Sequence, residues 1–249
     1  MPISIFEKLE GVREKRGAVA VALLDPDKKN DNDLFKMVQL VNDSDFDVVF
    51  VGGSLISDNQ FESRIKAISE NTDLPVIIFP GSSNQLSKHA DGVLFLSLIS
   101  GRNPQYLIGE HVKSAPVIRN LGIEVIPTAY ILLDGGVRSS VEVISNTSPI
   151  PMNKKDIILA HALAGEYLGN KLIFIESGSG AKQHATCENI SFLSSQLNIP
   201  IVVGGGVNTP DAAQKLVSSG AGYIVSGTQI EKIPIQEILQ KFTNAVHQR

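Results

Sequence analysis

Short apolar blocks alternate along this chain with longer amphipathic ones. The apolar blocks are AVAVALLDP (18–26), FDVVFVGGS (46–54), PVIIFPGS (75–82), GVLFLSLIS (92–100), EVIPTAYILLD (124–134), KLIFIESGSG (171–180), PIVVGGGV (200–207) and GYIVSGTQI (222–230). They are nearly continuous in apolar character, which suits strands buried on both faces of a parallel sheet. Eight of them in 249 residues predict a single-domain α/β protein, a (β/α)8 TIM barrel spanning 1–249.

The intervening segments have helical character. DNQFESRIKAISENT (58–72) sets Phe61, Ile65 and Ile68 at helical spacing, with Asp58 as the expected cap. TPDAAQKLVSSGA (209–221) begins with a cap at Thr209 and proline at the first helical position. KKDIILAHALAGEYLGN (154–170) ends at Gly169, and PIQEILQKFTNAVHQ (234–248) closes the ring. An opening helix over ISIFEKLEGVREKR (3–16) is expected to cover the barrel's N-terminal end. VRSSVEVISNTSPIPMN (137–153) is too long for a bare connection and is expected to form a lid or an extra hairpin over the C-terminal face.

Composition narrows the function. The net charge of −4 gives no general attraction to nucleic acid or anionic lipid, so any anion site must be local. Cys187 is the single cysteine, which excludes an internal disulfide and any multi-cysteine metal site; its only sequence-near partner for nucleophilic chemistry is His184. The N-terminus lacks a signal peptide's apolar centre and no run reaches the roughly 18 residues of a membrane span, so a cytoplasmic location is expected.

Barrel enzymes carry their chemistry at the C-terminal ends of the strands. Glycines there, in SGSG (177–180), GGG (204–206) and SGT (226–228), let backbone N–H groups turn toward an anion. The last two follow strands seven and eight, the fold's recurrent phosphate site, although such glycines also serve merely to permit tight turns. Asp25 ends the first strand, where a carboxylate needs a partner; magnesium, taking oxygen from Asp25, Ser54 and a diphosphate, meets that need. The alternative is Asp25 capping the turn ahead of Pro26. Asp27, Lys28 and Lys29 read as a solvated loop face. Glu176 stands in an apolar strand beside an anion loop, where partial desolvation raises its pKa and suits a general base; pairing with Lys182 is the competing reading. His161 reads as a structural histidine, and Arg102 lies within reach of a diphosphate or on the loop surface.

With these residues in place, the sequence resembles the geranylgeranylglyceryl phosphate synthase family, including the heptaprenylglyceryl phosphate synthases. LLDPDK (23–28), VGGS (51–54), PGSSNQ (80–85), FLSLISGRNP (95–104), PTAYILLDGG (127–136), SPIP (148–151), AGEYLGNKLIFIESGSGA (164–181), VVGGGVNTP (202–210) and VSGT (225–228) carry the resemblance in family order. It implies a prenyltransferase joining sn-glycerol 1-phosphate to a polyprenyl diphosphate, geranylgeranyl foremost, with magnesium (Mg2+). It implies metal binding by Asp25 and Ser54. Glycerol-phosphate contacts are implied from Phe174, Ile175, Glu176, Ser177, Gly178, Ser179 and Gly180, from Gly204, Gly205 and Gly206, and from Gly227 and Thr228. Glu176 matches the carboxylate that takes the hydroxyl proton. The family commonly has tyrosine at Phe174; if that phenol bonds substrate in relatives, the contact is either missing here or supplied by another group such as Tyr130. A homo-oligomer and a transient membrane contact for product release are also expected.

Two rival classes remain at this level. One is another phosphate-handling barrel, an isomerase, aldolase or synthase; the only strand lysine, Lys171, lies at the wrong end for a Schiff base. The other is a non-catalytic phosphoprenyl-binding protein, which would tolerate loss of the Glu176 carboxylate.

Overall fold

The structure is a computed structural model that describes residues 3–232 and 235–248, with the Lys28 side chain also outside the described set. Eight parallel strands close on themselves in chain order: β1 Val19–Leu24, β2 Val48–Val51, β3 Val76–Ile78, β4 Gly92–Leu98, β5 Glu124–Leu132, β6 Leu172–Glu176, β7 Ile201–Gly204 and β8 Tyr223–Ser226. All eight apolar blocks are strands, each shorter than its block because the block's polar end becomes the loop that follows.

Side chains alternate across each strand, so both faces are apolar for different reasons. Val19 and Val21 of β1 point into the barrel with Phe50, Ile77, Leu94 and Phe174. Ala20, Ala22 and Leu24 point outward to meet the helices, with Val49, Ile131 and Ile175. The inner register of β6 runs Leu172, Phe174, Glu176, which turns the Glu176 carboxylate into the barrel's open end.

The helix α1 (Ile5–Arg16) plugs the opposite end, as its sequence leads one to expect. Leu9 is buried against the inner core, the Glu124 carboxylate accepts the Ile5 and Phe6 amides at 2.6 and 3.1 Å, and the Tyr223 hydroxyl donates to Glu10 at 2.7 Å. The outer layer comprises α2 (Leu34–Asn42), α3 (Phe61–Ser69), α4 (Glu110–Leu121), a short α5 (Ser140–Ser145), α6 (Lys155–Tyr167), α7 (Cys187–Ser194), α8 (Pro210–Ser218), the single turn α9 (Thr228–Glu231) and α10 (Gln236–Val246). Thr209 caps α8 by accepting the Ala212 amide, and Pro210 takes its first position. The last segment begins at Pro234, which lies outside the described residues.

Two features depart from expectation, and a third, the segment after β5, takes one of its two expected forms. Asp58 does not cap α3: Gln60 occupies that position without a side-chain bond, and Asp58 pairs with Arg64. The long segment after β5 forms no hairpin. Ser139 caps α5 by accepting the Glu142 amide, and the chain returns through a parallel bridge between Leu133 and Ile150. Finally, the connection after β3 carries no helix; residues 79–91 run as turns and coil directly into β4, and β3 and β4 pair at only two positions. One flank of the barrel therefore lacks its helical cover.

Candidate active site

One cavity of about 640 Å³ opens at the C-terminal face. Its floor is the top of the inner core, where Phe79 stacks on Phe174 (ring centroids 5.1 Å apart, 11° between planes) and Tyr130 leans against both at 5.9 and 5.3 Å. Such offset aromatic contacts hold the floor rigid. Tyr130 lines the cavity; Phe174, fully buried below it, does not. Burial pushes the Tyr130 phenol well above its ordinary value, and the nearby Glu176 charge adds to the rise, so the group stays a neutral hydroxyl.

The wall at β6–β8 is built mostly of backbone. Gly205 and Gly206 adopt φ of +76° and +75°, where L-residues are strained. A Cβ on Gly205 would collide with Glu176 Oε1 and would lie 2.7 Å from the Gly178 nitrogen. Gly205, Gly206, Gly227 and Thr228 line the cavity beside Ser179, and α8 starts just beyond them. This concavity of amides and hydroxyls, near the positive end of a helix, suits a phosphate. Gly204, Ser177, Gly178 and Gly180 shape the turns behind it, and Ile175 faces the helix layer.

Glu176 sits at the meeting point, 6% exposed. Its Oε1 accepts the Gly178 amide at 2.6 Å, and no cation pairs with it among the described residues; Lys182 instead lies along Gly136. Burial lifts its pKa to about 7, against the lowering pull of the Gly178 and Ser177 amides. A carboxyl poised there exchanges protons readily near neutral pH.

At β1–β3 the wall is built of side chains. Asp25 Oδ2 pairs with Lys29 Nζ at 2.8 Å, while Oδ1 is buried with no hydrogen-bond partner among the described residues. Gly53 makes room for it, since a Cβ there would lie 2.8 Å from Oδ1. Ser54 lines the cavity on the next loop. The Gln85 amide binds the Gly53 carbonyl at 2.8 Å and accepts the Gly81 amide at 3.1 Å, tying the loops after β2 and β3 together. Arg64, buried behind them, donates to the Pro26 carbonyl at 3.1 Å and pairs with Asp31 at 2.5 Å and Asp58 at 2.7 Å. It joins the loop of Asp25 to that of Ser54. No group of three or more metal-ligating His, Cys, Asp or Glu side chains exists among the described residues.

Sequence reasoning did not find Gln85 or Arg64, nor the position of Lys29 against Asp25 in place of a solvated face. An arginine at the helical spacing of Ile65 and Ile68, on a buried face, was the available signal for Arg64. Arg102 does not enter the cavity. It donates to the Gly101 carbonyl at 2.7 Å and meets His161 Nε2 at 3.2 Å, and His161 is further bonded to the Ile157 carbonyl, a structural arrangement. Cys187 is the first residue of α7, and His184 Nδ1 is engaged with the Ala185 carbonyl at 2.7 Å.

The cavity then spills sideways. Leu94, Leu96 and Leu98 line it from the inner face of β4, and Val93 and Phe95 from the outer face. Beyond the rim, α4 contributes His111, Ser114 and Ile118, and Leu86 of the coil supplies the other side. This apolar groove occupies the flank that lacks a helix. Between Glu110 and Ile118 it follows about 12 Å of α4, at 1.5 Å per residue. Val141, Val143 and Ile144 of the α5 segment form its lid.

Relatives share this architecture. The geranylgeranylglyceryl phosphate synthase of Chitinophaga pinensis is 43% identical over 236 residues, 94% of this chain and 93% of that protein. The enzyme of the same name from Pyrococcus horikoshii is 36% identical over 243 residues, 97% and 93% of the two chains. The crystal structure of (S)-3-O-geranylgeranylglyceryl phosphate synthase from Thermoplasma acidophilum, in complex with sn-glycerol-1-phosphate, superimposes with a TM-score of 0.92 at 34% identity, covering 99% of this chain and 100% of that one. Residues 10–246 match the PcrB family, and the chain belongs to that family.

Proposed function

We propose that this protein is a prenyltransferase that joins sn-glycerol 1-phosphate to a polyprenyl diphosphate, geranylgeranyl foremost, through an ether bond. The observation that carries the reading is the placement of Glu176, a buried carboxyl with a pKa of about 7, between a phosphate-sized concavity and an apolar groove. Relatives named for this synthesis, one of them crystallised with glycerol phosphate, support it.

The glycerol phosphate anchors its phosphate at Gly205, Gly206, Gly227 and Thr228 and presents a hydroxyl toward the cavity centre. The prenyl tail lies along Phe95, His111 and Ile118, and its diphosphate reaches the Asp25 side. As the hydroxyl oxygen bonds to the first prenyl carbon, the carbon–oxygen bond to diphosphate breaks and the electron pair leaves with the diphosphate. Glu176 takes the hydroxyl proton. Tyr130, a neutral phenol on the cavity floor, orients the oxygen and the carboxylate.

The residues at Asp25 fit magnesium. The buried Oδ1, without a hydrogen-bond partner among the described residues, is a ready ligand, and Ser54 adds a hydroxyl. A single protein carboxylate would be enough, with diphosphate oxygens and water supplying the other ligands. When bound, magnesium supplies charge to stabilise the departing diphosphate. A homo-oligomer belongs to the proposal, supported by Tyr167 and Leu168, which stand 80% and 75% exposed. So does a cytoplasmic site of action, in keeping with the unpaired Cys187. No helix among the described residues is long and apolar enough to cross a membrane; contact with one for product release would occur through the groove's apolar rim.

The test is an assay of labelled glycerol 1-phosphate against a ladder of prenyl diphosphates, with and without magnesium. Glu176→Gln lowers kcat about a hundredfold or more while glycerol phosphate still binds. Product from no donor overturns the reading.

A further inference from the structure

Among the described residues, Lys29 both lines the cavity and pairs with the carboxylate assigned to the metal. It stands in the short turn Lys28–Asn30 after β1, 55% exposed, with Nζ 2.8 Å from Asp25 Oδ2 and 4.0 Å from Glu231 Oε1. Asp27 also contributes to its field. The pair occupies the same Asp25 side chain whose other oxygen is buried without a hydrogen-bond partner among the described residues.

A divalent cation at Asp25 would stand within a few ångströms of this ammonium, and the two repel. The diphosphate, which brings several negative charges to the same place, attracts both. Lysine carries a point charge on a flexible four-carbon stem and can follow the larger negative charge without a backbone change. Its half-exposed side chain has room to turn, and Glu231 keeps it at the cavity wall.

We propose that Lys29 is a diphosphate ligand that exchanges partners: it holds Asp25 in the empty enzyme and moves to the prenyl donor's diphosphate when metal and donor bind. This rests on the reading that Asp25 holds the metal. The exchange gives one substitution two effects of opposite sign, which a merely structural lysine would not produce.

Manganese, as a spectroscopic substitute for magnesium, is titrated by electron paramagnetic resonance into substrate-free wild type, Lys29→Met and Asp25→Ala. The KM for prenyl diphosphate and for glycerol phosphate is then measured at saturating magnesium. Lys29→Met should bind manganese about fivefold more tightly than wild type, since a competing cation is gone. Its KM for prenyl diphosphate should rise about tenfold, with the KM for glycerol phosphate within about twofold of wild type. Lys29→Arg, which keeps a cation for the diphosphate, should hold the donor KM within about threefold. Manganese binding that is unchanged or weaker in Lys29→Met, or an unchanged donor KM, overturns the exchange. Equal manganese binding by wild type and Asp25→Ala would instead refute the metal assignment, while the donor KM still reports on Lys29. Should Lys29→Met fail to fold, Lys29→Gln goes through the same two measurements, with the same outcomes.

Discussion

On the proposed reading, the two walls of the cavity solve the same problem, holding phosphate, by different means. At β6–β8 the wall is backbone: glycines at positive φ, with Glu176 folded tightly among them. At β1–β3 it is side chains: Asp25, Lys29 and Ser54, braced from behind by Gln85 and Arg64. A backbone wall is preorganised and leaves little space for change. A side-chain wall can rearrange, which suits a ligand that must arrive with a metal and depart as a leaving group. The difference predicts that damage to the first wall abolishes glycerol-phosphate chemistry, whereas damage to the second is graded and specific to the donor.

The largest effect should come from Gly205→Ala. Its Cβ meets the Glu176 carboxylate and its backbone is strained, so kcat/KM for glycerol phosphate falls by roughly a thousandfold. Steady-state kinetics check this, and a loss below about tenfold would break the contrast between the walls. Asp25→Asn should follow, raising the magnesium requirement and the donor KM by about a hundredfold with glycerol-phosphate affinity unchanged by calorimetry.

Acidity sharpens the comparison further. The base must be ionised, so kcat/KM for glycerol phosphate should fall about tenfold per unit as pH drops below about 7. A pH–rate profile for wild type, flat across 5.5–7.5 (roughly) instead, would remove Glu176 from the step. Stability runs the other way. The folded pKa is raised from 4.5 to about 7, so the protonated carboxyl is the one the fold favours. Nothing is lost below about pH 4.5, the cost grows between there and pH 7, and above pH 7 it reaches about 3 kcal/mol. Glu176→Gln should therefore raise the urea midpoint at pH 8 and leave it unchanged at pH 4.5.

Arg64→Met removes the brace of the side-chain wall and its pairs with Asp31 and Asp58. Because both carboxylates are partly exposed, the loss should be about 2 kcal/mol by urea unfolding. The smallest effect is that of Cys187→Ser at the start of α7, within about 0.5 kcal/mol and without change in turnover.

Much of this was legible in the sequence, and the parts that were share a cause. The strands show because burial on both faces leaves continuous runs such as VAVALL and LIFIE, and the glycine loops show because positive φ demands glycine. Asp25 and Glu176 show because a carboxylate ending an apolar strand needs a reason. What stayed hidden was relational. Asp58 looks like a cap from its place before Phe61, and only the fold brings Arg64 to it. The short helix after β5 was signalled by Ser139 three residues before Glu142, a capping pattern masked by the prolines that follow. Lys29 is unremarkable in KKN until the turn folds it back onto Asp25. The groove left no positive signal, because it is made by the helix that residues 79–91 do not form.

On the proposed reading, that missing helix also sets how a prenyl tail would come and go. A helix covering the flank would move only as a unit, against all its internal hydrogen bonds. The coil that stands there is tied to its neighbours by a few contacts, among them the Ser83 amide to Glu110 at 2.5 Å and Gln85 to Gly53. Such contacts can open separately, without the loss of a whole helix. A long product then need not be drawn out end-first through the top of the barrel; the seam beside α4 lets it peel away sideways.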